Sequence, residues 1–130
     1  MAGKVVDTLT ETVIGLSMKV HRTLGPGFLE SVYRKALAYE LEENGLKVEQ
    51  EKKISVYYRG QHVGEFSADL FVGDQLIVEL KAVDSLCKAH EVQTVNYLTA
   101  ARLDVGLLLN FGAATLEIRR KYRRRTSGDQ

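Results

Sequence analysis

Cysteine and proline are almost missing from this chain, each occurring once. Cys87 alone can form no bridge within the chain, and no Cys/His cluster has zinc spacing, so disulfide scaffolds and zinc modules are excluded. A reducing, cytoplasmic compartment is the expectation. Long apolar runs are also lacking. Asp7, Thr8, Thr10, Glu11 and Thr12 interrupt the N-terminal apolar residues and leave no core for a secretory signal. Nothing approaches the roughly 20 apolar residues that cross a bilayer, so no membrane partner is expected. The one proline sits in Gly25-Pro26-Gly27, a break between two helical patterns rather than between domains.

What is present is an ordinary globular composition: 130 residues, 45% apolar and 27% charged. A domain of that size buries roughly two-thirds of its unfolded surface, so a core forms without staples. Net charge is +1, but residues 119 to 125 carry +6, leaving −5 over the rest. A basic run of this kind is either a solvated terminus or a contact for phosphate backbone.

Thr8 to Glu11 reads as a capping box, and Leu9, Val13, Leu16, Val20 and Leu24 follow at helical spacing, predicting a helix over about 8 to 23. Leu29, Val32, Tyr33, Leu37 and Leu41, stopped by Asn44-Gly45, predict a second over about 28 to 44. The period then falls to two. Ile54, Val56 and Tyr58 alternate, then Phe66 to Val72, then Leu76, Val78 and Leu80, with a short extra edge strand near Val48 as an option. Tyr57 and Tyr58 read as strand packing. Val92, Val95, Leu98 and Leu103 restore a helical stripe over about 87 to 103. Val105 to Leu109 reads as a strand buried on both faces, and a last strand covers about 115 to 119. The order ααβββαββ predicts an α/β sandwich with a mixed sheet.

Hairpin register brings two carboxylates together. If Leu70 and Val72 share an apolar face with Leu76, Val78 and Leu80, a three-residue Gly73-Asp74-Gln75 loop pairs Leu70 with Val78 and Val72 with Leu76. Asp69 then lies opposite Glu79. Two opposed carboxylates repel, and a hard divalent cation such as Mg²⁺ takes oxygen ligands of this kind. Lys81 falls on the same face as Glu79, so the three residues can hold a metal and set an ammonium beside the water or phosphate it coordinates. That is the equipment of metal-assisted phosphodiester hydrolysis. The alternative is a solvated sheet face bearing a Glu and a Lys.

Gln93 and Tyr97 are four residues apart on the third helix and share a face, with His90 one turn earlier. Glu30 falls in the first turn of the second helix, where it is either a site residue or simply a favourable charge at a helix N-terminus. His21, His62 and Cys87 read as structural or solvated.

Gly27-Phe28-Leu29-Glu30-Ser31-Val32-Tyr33 resembles the motif of the GxxExxY proteins. Ala68-Asp69-Leu70, Ile77-Val78-Glu79-Leu80-Lys81-Ala82, His90-Glu91-Val92-Gln93, Tyr97-Leu98 and Gly106 to Phe111 are similar to that family's further blocks, in order, over about 10 to 122. The family is placed in the PD-(D/E)XK nuclease superfamily, and Gln93-Thr94-Val95-Asn96-Tyr97 is similar to the QxxxY motif of its RecB-like branch. The proline of the superfamily's name is absent here.

The resemblance implies a restriction-endonuclease-like core, a mixed sheet flanked by helices, with residues 1–118 as one nuclease-like domain and 119–130 as a basic tail. It implies Asp69 and Glu79 as metal ligands, Glu30 as a further acidic contributor and the Leu80 carbonyl as another ligand. Lys81 would position or activate the attacking water, while Gln93 and Tyr97 orient the nucleophile or phosphate. The expected function is Mg²⁺- or Mn²⁺-dependent phosphodiester hydrolysis of nucleic acid, DNA in the first instance. The rival is a non-catalytic nucleic-acid or protein-interaction module on the same fold, with Arg119 to Arg125 as its handle. The chain shows no helicase motor, P-loop lysine motif or second DNA-binding domain, which leaves action with a partner protein or as a homo-oligomer as a third expectation.

Overall fold

A computed structural model describes residues 2–124, with side chains from Val6 onward. Its elements are α1 (Ala2–Leu24), α2 (Glu30–Glu43), β1 (Val48–Tyr58), β2 (Gln61–Val72), β3 (Leu76–Lys81), α3 (Lys88–Ala101), β4 (Val105–Asn110) and β5 (Glu117–Tyr122). The order is ααβββαββ, and the five strands lie in the sheet in chain order. Only β3 and β4 run parallel, with α3 as the crossover between them; the other neighbours are antiparallel. This is the expected mixed α/β sheet. Among the described residues no helix is long and apolar enough to cross a membrane.

Leu9, Val13 and Val20 of α1 and Tyr33, Leu37 and Leu41 of α2 pack with Leu70, Val72, Leu76, Val78, Leu80, Leu107 and Leu109 to form the main core on one sheet face. A smaller cluster of Ala68, Ile77 and Leu98 lies on the other face under α3. β3 and β4 sit between the two layers, which is why both read as near-continuous apolar runs.

Several boundaries differ from those the sequence predicts. α1 starts at Ala2, so Thr8 is a helix interior residue whose carbonyl accepts the Thr12 hydroxyl, not an N-cap. Val6 packs against the main core, and nothing before Thr8 forces a helix to begin there. The edge strand near Val48 and the strand at Ile54 are one strand, continuous across Glu51, which takes a left-handed φ of 53°. Phe66 and Ala68 do not share a face with Leu70 and Val72: the first two pack with Ile77 under α3 and the second two in the main core. The side-chain alternation slips by one at Asp69, opposite the distorted Glu51. In α3, Leu98 of the expected stripe is buried together with Thr94 and Leu103 packs beside it, while Val92 is 47% exposed, so the core face is turned away from the Val92 end of the stripe.

β5 extends to Tyr122, so Arg119 to Tyr122, expected as the start of a free tail, are paired with β4. Arg119 pairs with Glu117, Arg120 with Asp7, Lys121 with Glu91 and Arg123 with Asp104. Arg125, the last residue of the basic run, lies outside the described residues, as do Met1 and the rest of 126–130.

The loop from β3 to α3 is fixed by β4 and β5. The buried Asn110 donates from Nδ2 to the Val83 carbonyl (2.9 Å) and to Glu117 Oε1 (2.7 Å), while its Oδ1 accepts the N–H of Val83 and of Gly112 (both 3.0 Å). Glu117 Oε1 also accepts the Leu86 N–H at 2.9 Å. Gly112 is packed so closely that a Cβ there would lie 2.4 Å from the Val83 carbonyl oxygen. Replacing Asn110 with Ala strands several buried polar groups at once. Asn110→Ala is expected to lower unfolding stability by about 2–4 kcal/mol, read by urea denaturation.

Candidate active site

β2 and β3 pair Leu70 with Val78, Phe71 with Ile77 and Val72 with Leu76, the register the apolar pattern requires. One step further along, the ladder gives way to side chains. The Asp69 N–H donates to Glu79 Oε1 (3.3 Å), and the Leu80 N–H donates to Asp69 Oδ2 (2.8 Å). The two carboxylates therefore meet at the centre of the sheet. Because N–H and C=O of one residue leave a strand on the same side, the Leu80 carbonyl also faces the β2 side.

Glu79 is only 4% exposed. Burial, the Asp69 charge and a hydrogen bond to Asp69 push its pKa up to about 9, against a smaller lowering by the Asp69 N–H and Lys81. At neutral pH, without a cation, the pair thus holds a proton on Glu79. Lys81, at the end of β3, donates from Nζ to Gln93 Oε1 at 3.3 Å, which ties the strand to α3. Tyr97, one turn on from Gln93, lies flat on Phe66 with ring centroids 3.7 Å apart and planes 9° from parallel. Partial burial raises the Tyr97 pKa, and the charges of Glu79 and Asp69 add to it, so its hydroxyl sits in the field of the carboxylates.

The GPG loop brings the start of α2 to the same place from the other sheet face. The buried Tyr33 hydroxyl donates to the Gly25 carbonyl (2.6 Å) and accepts the Phe28 N–H (3.1 Å), and its ring stacks on Phe111 at 4.9 Å. That pins the turn, and Glu30 begins the helix. Glu30 is exposed as a residue, yet its carboxyl is crowded enough that desolvation raises its pKa. Lys81 opposes that shift, Asp69 adds to it, and the Ala82 N–H and His90 lower it again, which places Glu30 at the rim near the end of β3. His90 is a local cap, its Nδ1 accepting the Cys87 N–H at 3.1 Å. His21 is structural, its Nε2 bonded to the Ala113 carbonyl at 2.9 Å.

Asp69, Glu79, Lys81, Gln93 and Tyr97 are therefore brought together as the sequence predicts, with the Leu80 main chain beside them. Glu30 is nearby but does not join the pair: among the described residues no three His, Cys, Asp or Glu side chains form a metal-binding cluster. A groove of about 520 Å³ lies away from this site, on the Lys88, Val92 and Val95 side of α3. Sequence reasoning missed Asn110 and Glu117, which hold the loop after Lys81, and Phe66, which supports Tyr97. Asn110 leaves one trace, as the polar end of a fully buried apolar strand.

A family model of the PD-(D/E)XK nuclease superfamily matches residues 7–124. The chain belongs to that superfamily. Comparison with curated proteins and with solved structures gave no significant match. Superfamily membership agrees with the mixed sheet and gives the acid pair a chemical context, since nucleases of this kind generally use divalent metals.

The raised Glu79 pKa sets a pH dependence. Between its ordinary value of 4.5 and about 9 the folded chain binds a proton that the unfolded chain has released. The contribution is fully present below 4.5 and is lost as pH rises towards 9. Metal-free stability is expected to fall with a slope of up to about 1.4 kcal/mol per pH unit from this group, and Glu79→Gln should flatten it, as read by denaturation at pH 5 to 9.

Proposed function

We propose that the protein is a divalent-metal-dependent nuclease that hydrolyses phosphodiester bonds in DNA. The carrying observation is the carboxylate pair, one member buried against the other, with Lys81 beside it. The donor set suits Mg²⁺ or Mn²⁺, which favour oxygen ligands: Asp69, Glu79 and the Leu80 carbonyl would hold the ion. A bound ion would supply charge to polarise the scissile phosphate and acidify the attacking water.

The chain's own residues do the rest. Loss of the Glu79 proton charges the pair and readies it for a cation. The Lys81 ammonium, steadied by Gln93, orients the water or offsets charge developing on the phosphate. Tyr97, held by Phe66, offers a hydroxyl to a phosphate oxygen. Gln93 and Tyr97 lying together over the acid pair supports the RecB-like reading. Glu30, standing off at the rim, acts as an outer acidic contributor. The basic run favours the rival binding module less, because Arg119, Arg120, Lys121 and Arg123 are each engaged by an acidic side chain.

When single- and double-stranded DNA and RNA are each offered with Mn²⁺, the wild type is expected to cleave DNA, and Lys81→Ala should lose at least about a hundredfold in rate. Equal traces for the two proteins overturn the catalytic reading. Binding can be read separately. Metal at about one hundred times Kd should stabilise the fold by about 2.7 kcal/mol and raise the melting temperature, and Asp69→Asn should erase most of that shift. An identical shift in Asp69→Asn would mean that these carboxylates do not hold the ion.

A further inference from the structure

The β1–β2 hairpin is longer than the sheet behind it. β1 has 11 residues and β2 has 12, whereas β3 has 6 and pairs with β2 over Leu70 to Val72. The half between Val56 and Gly64 pairs only with itself among the described strands. It closes on Arg59-Gly60, both at positive φ (48° and 81°), a two-residue turn whose twist matches that of the ribbon.

This projecting end carries Tyr57 and Tyr58, each 65% exposed, so the expectation that they pack within the strand does not hold. Tyr57 meets only the edge of the His62 ring, at 5.5 Å and 79°. Neighbouring strand residues point to opposite sides, so the ribbon offers one aromatic ring on each side. Lys53 and Arg59 have no ion pair among the described residues, in contrast to the engaged cations of β5. The same strand leads to the site, through Phe66 under Tyr97 and then to Asp69. From His62 to Asp69 the strand spans about 23 Å.

We propose that this hairpin is a second nucleic-acid contact, in which a DNA strand passes round its end and stacks unpaired bases on Tyr57 on one side and Tyr58 on the other, with its phosphates near Lys53 and Arg59. It rests on the nuclease reading and narrows it: the substrate has a single-stranded segment about 23 Å from the scissile bond. A duplex hides its base faces, whereas an open strand presents them to exposed rings and its phosphates to unpaired cations.

The test is fluorescence anisotropy in EDTA, which reads binding without cleavage, using labelled oligo-dT of about 20 nucleotides and a blunt duplex of equal length. The wild type should prefer the single strand. Tyr57→Ala and Tyr58→Ala should each weaken that binding about tenfold and leave duplex binding unchanged, while the Phe variants keep it because the ring and not the hydroxyl stacks. Melting curves check that these exposed substitutions leave the fold intact. The proposal is overturned if the Ala variants bind the single strand as the wild type does, if the Phe variants lose as much as the Ala variants, or if the duplex is preferred. The two readings fail differently. A wild type that cleaves nothing, with Tyr variants still losing single-strand binding, sinks catalysis and keeps the hairpin contact. A wild type that cleaves, with Tyr variants that bind unchanged, does the reverse.

Discussion

An apolar match across β2 and β3 holds Asp69 and Glu79 against each other, and the site depends on that constraint. Leu70, Val72, Leu76 and Val78 are fully buried in this register, each favouring it by about 1.5–3 kcal/mol. Shifting one strand by one residue would relieve the acid pair but turn that strand's pair, Leu70 and Val72 or Leu76 and Val78, to the wrong face. At neutral pH, keeping Glu79 protonated costs about 3 kcal/mol, set by the distance of pH 7 from its ordinary pKa. The hydrophobic term is larger, so the sheet keeps the carboxylates together and the proton makes the arrangement tolerable.

The remaining site residues reach that point from both layers. α2 comes from the side of the main core, its start placed by Tyr33 and the GPG turn. α3 comes from the other side, its start set by the loop that Asn110 and Glu117 hold. The start of α2 therefore lies by the end of β3, and the partial positive charge of that helix end favours an anionic group there. Glu30 offsets part of that field, and Lys81 restores it.

The hairpin register, and with it the acid pair and Lys81, was legible because period-two alternation on both strands admits one apolar match. Gln93 and Tyr97 were legible as one helix face. The slip in alternation at Asp69 was not, because Phe66, Ala68, Leu70 and Val72 fall at period two, Phe71, which packs with Phe66 and Ala68, is the one apolar residue out of step, and the left-handed Glu51 on the neighbouring strand carries no glycine to mark it. Val92 and Val95 misled for a related reason: helical spacing shows which residues share a face, not whether that face meets the sheet. The ends of α1 and β5 were misplaced where a polar pattern, Thr8 to Glu11 or a run of arginines, outweighed continuous backbone pairing.

The strand order has a consequence for how the site comes into being. β3 lies between β2, which precedes it, and β4, which follows after α3, and the loop beyond Lys81 is tied by Asn110 and Glu117 near the far end of the chain. A chain emerging from the ribosome therefore presents both carboxylates long before the residues that complete their surroundings. Those surroundings form only when β4 has been laid against β3 and β5 against β4, so the acid pair waits, half-assembled, until the last strands have been made.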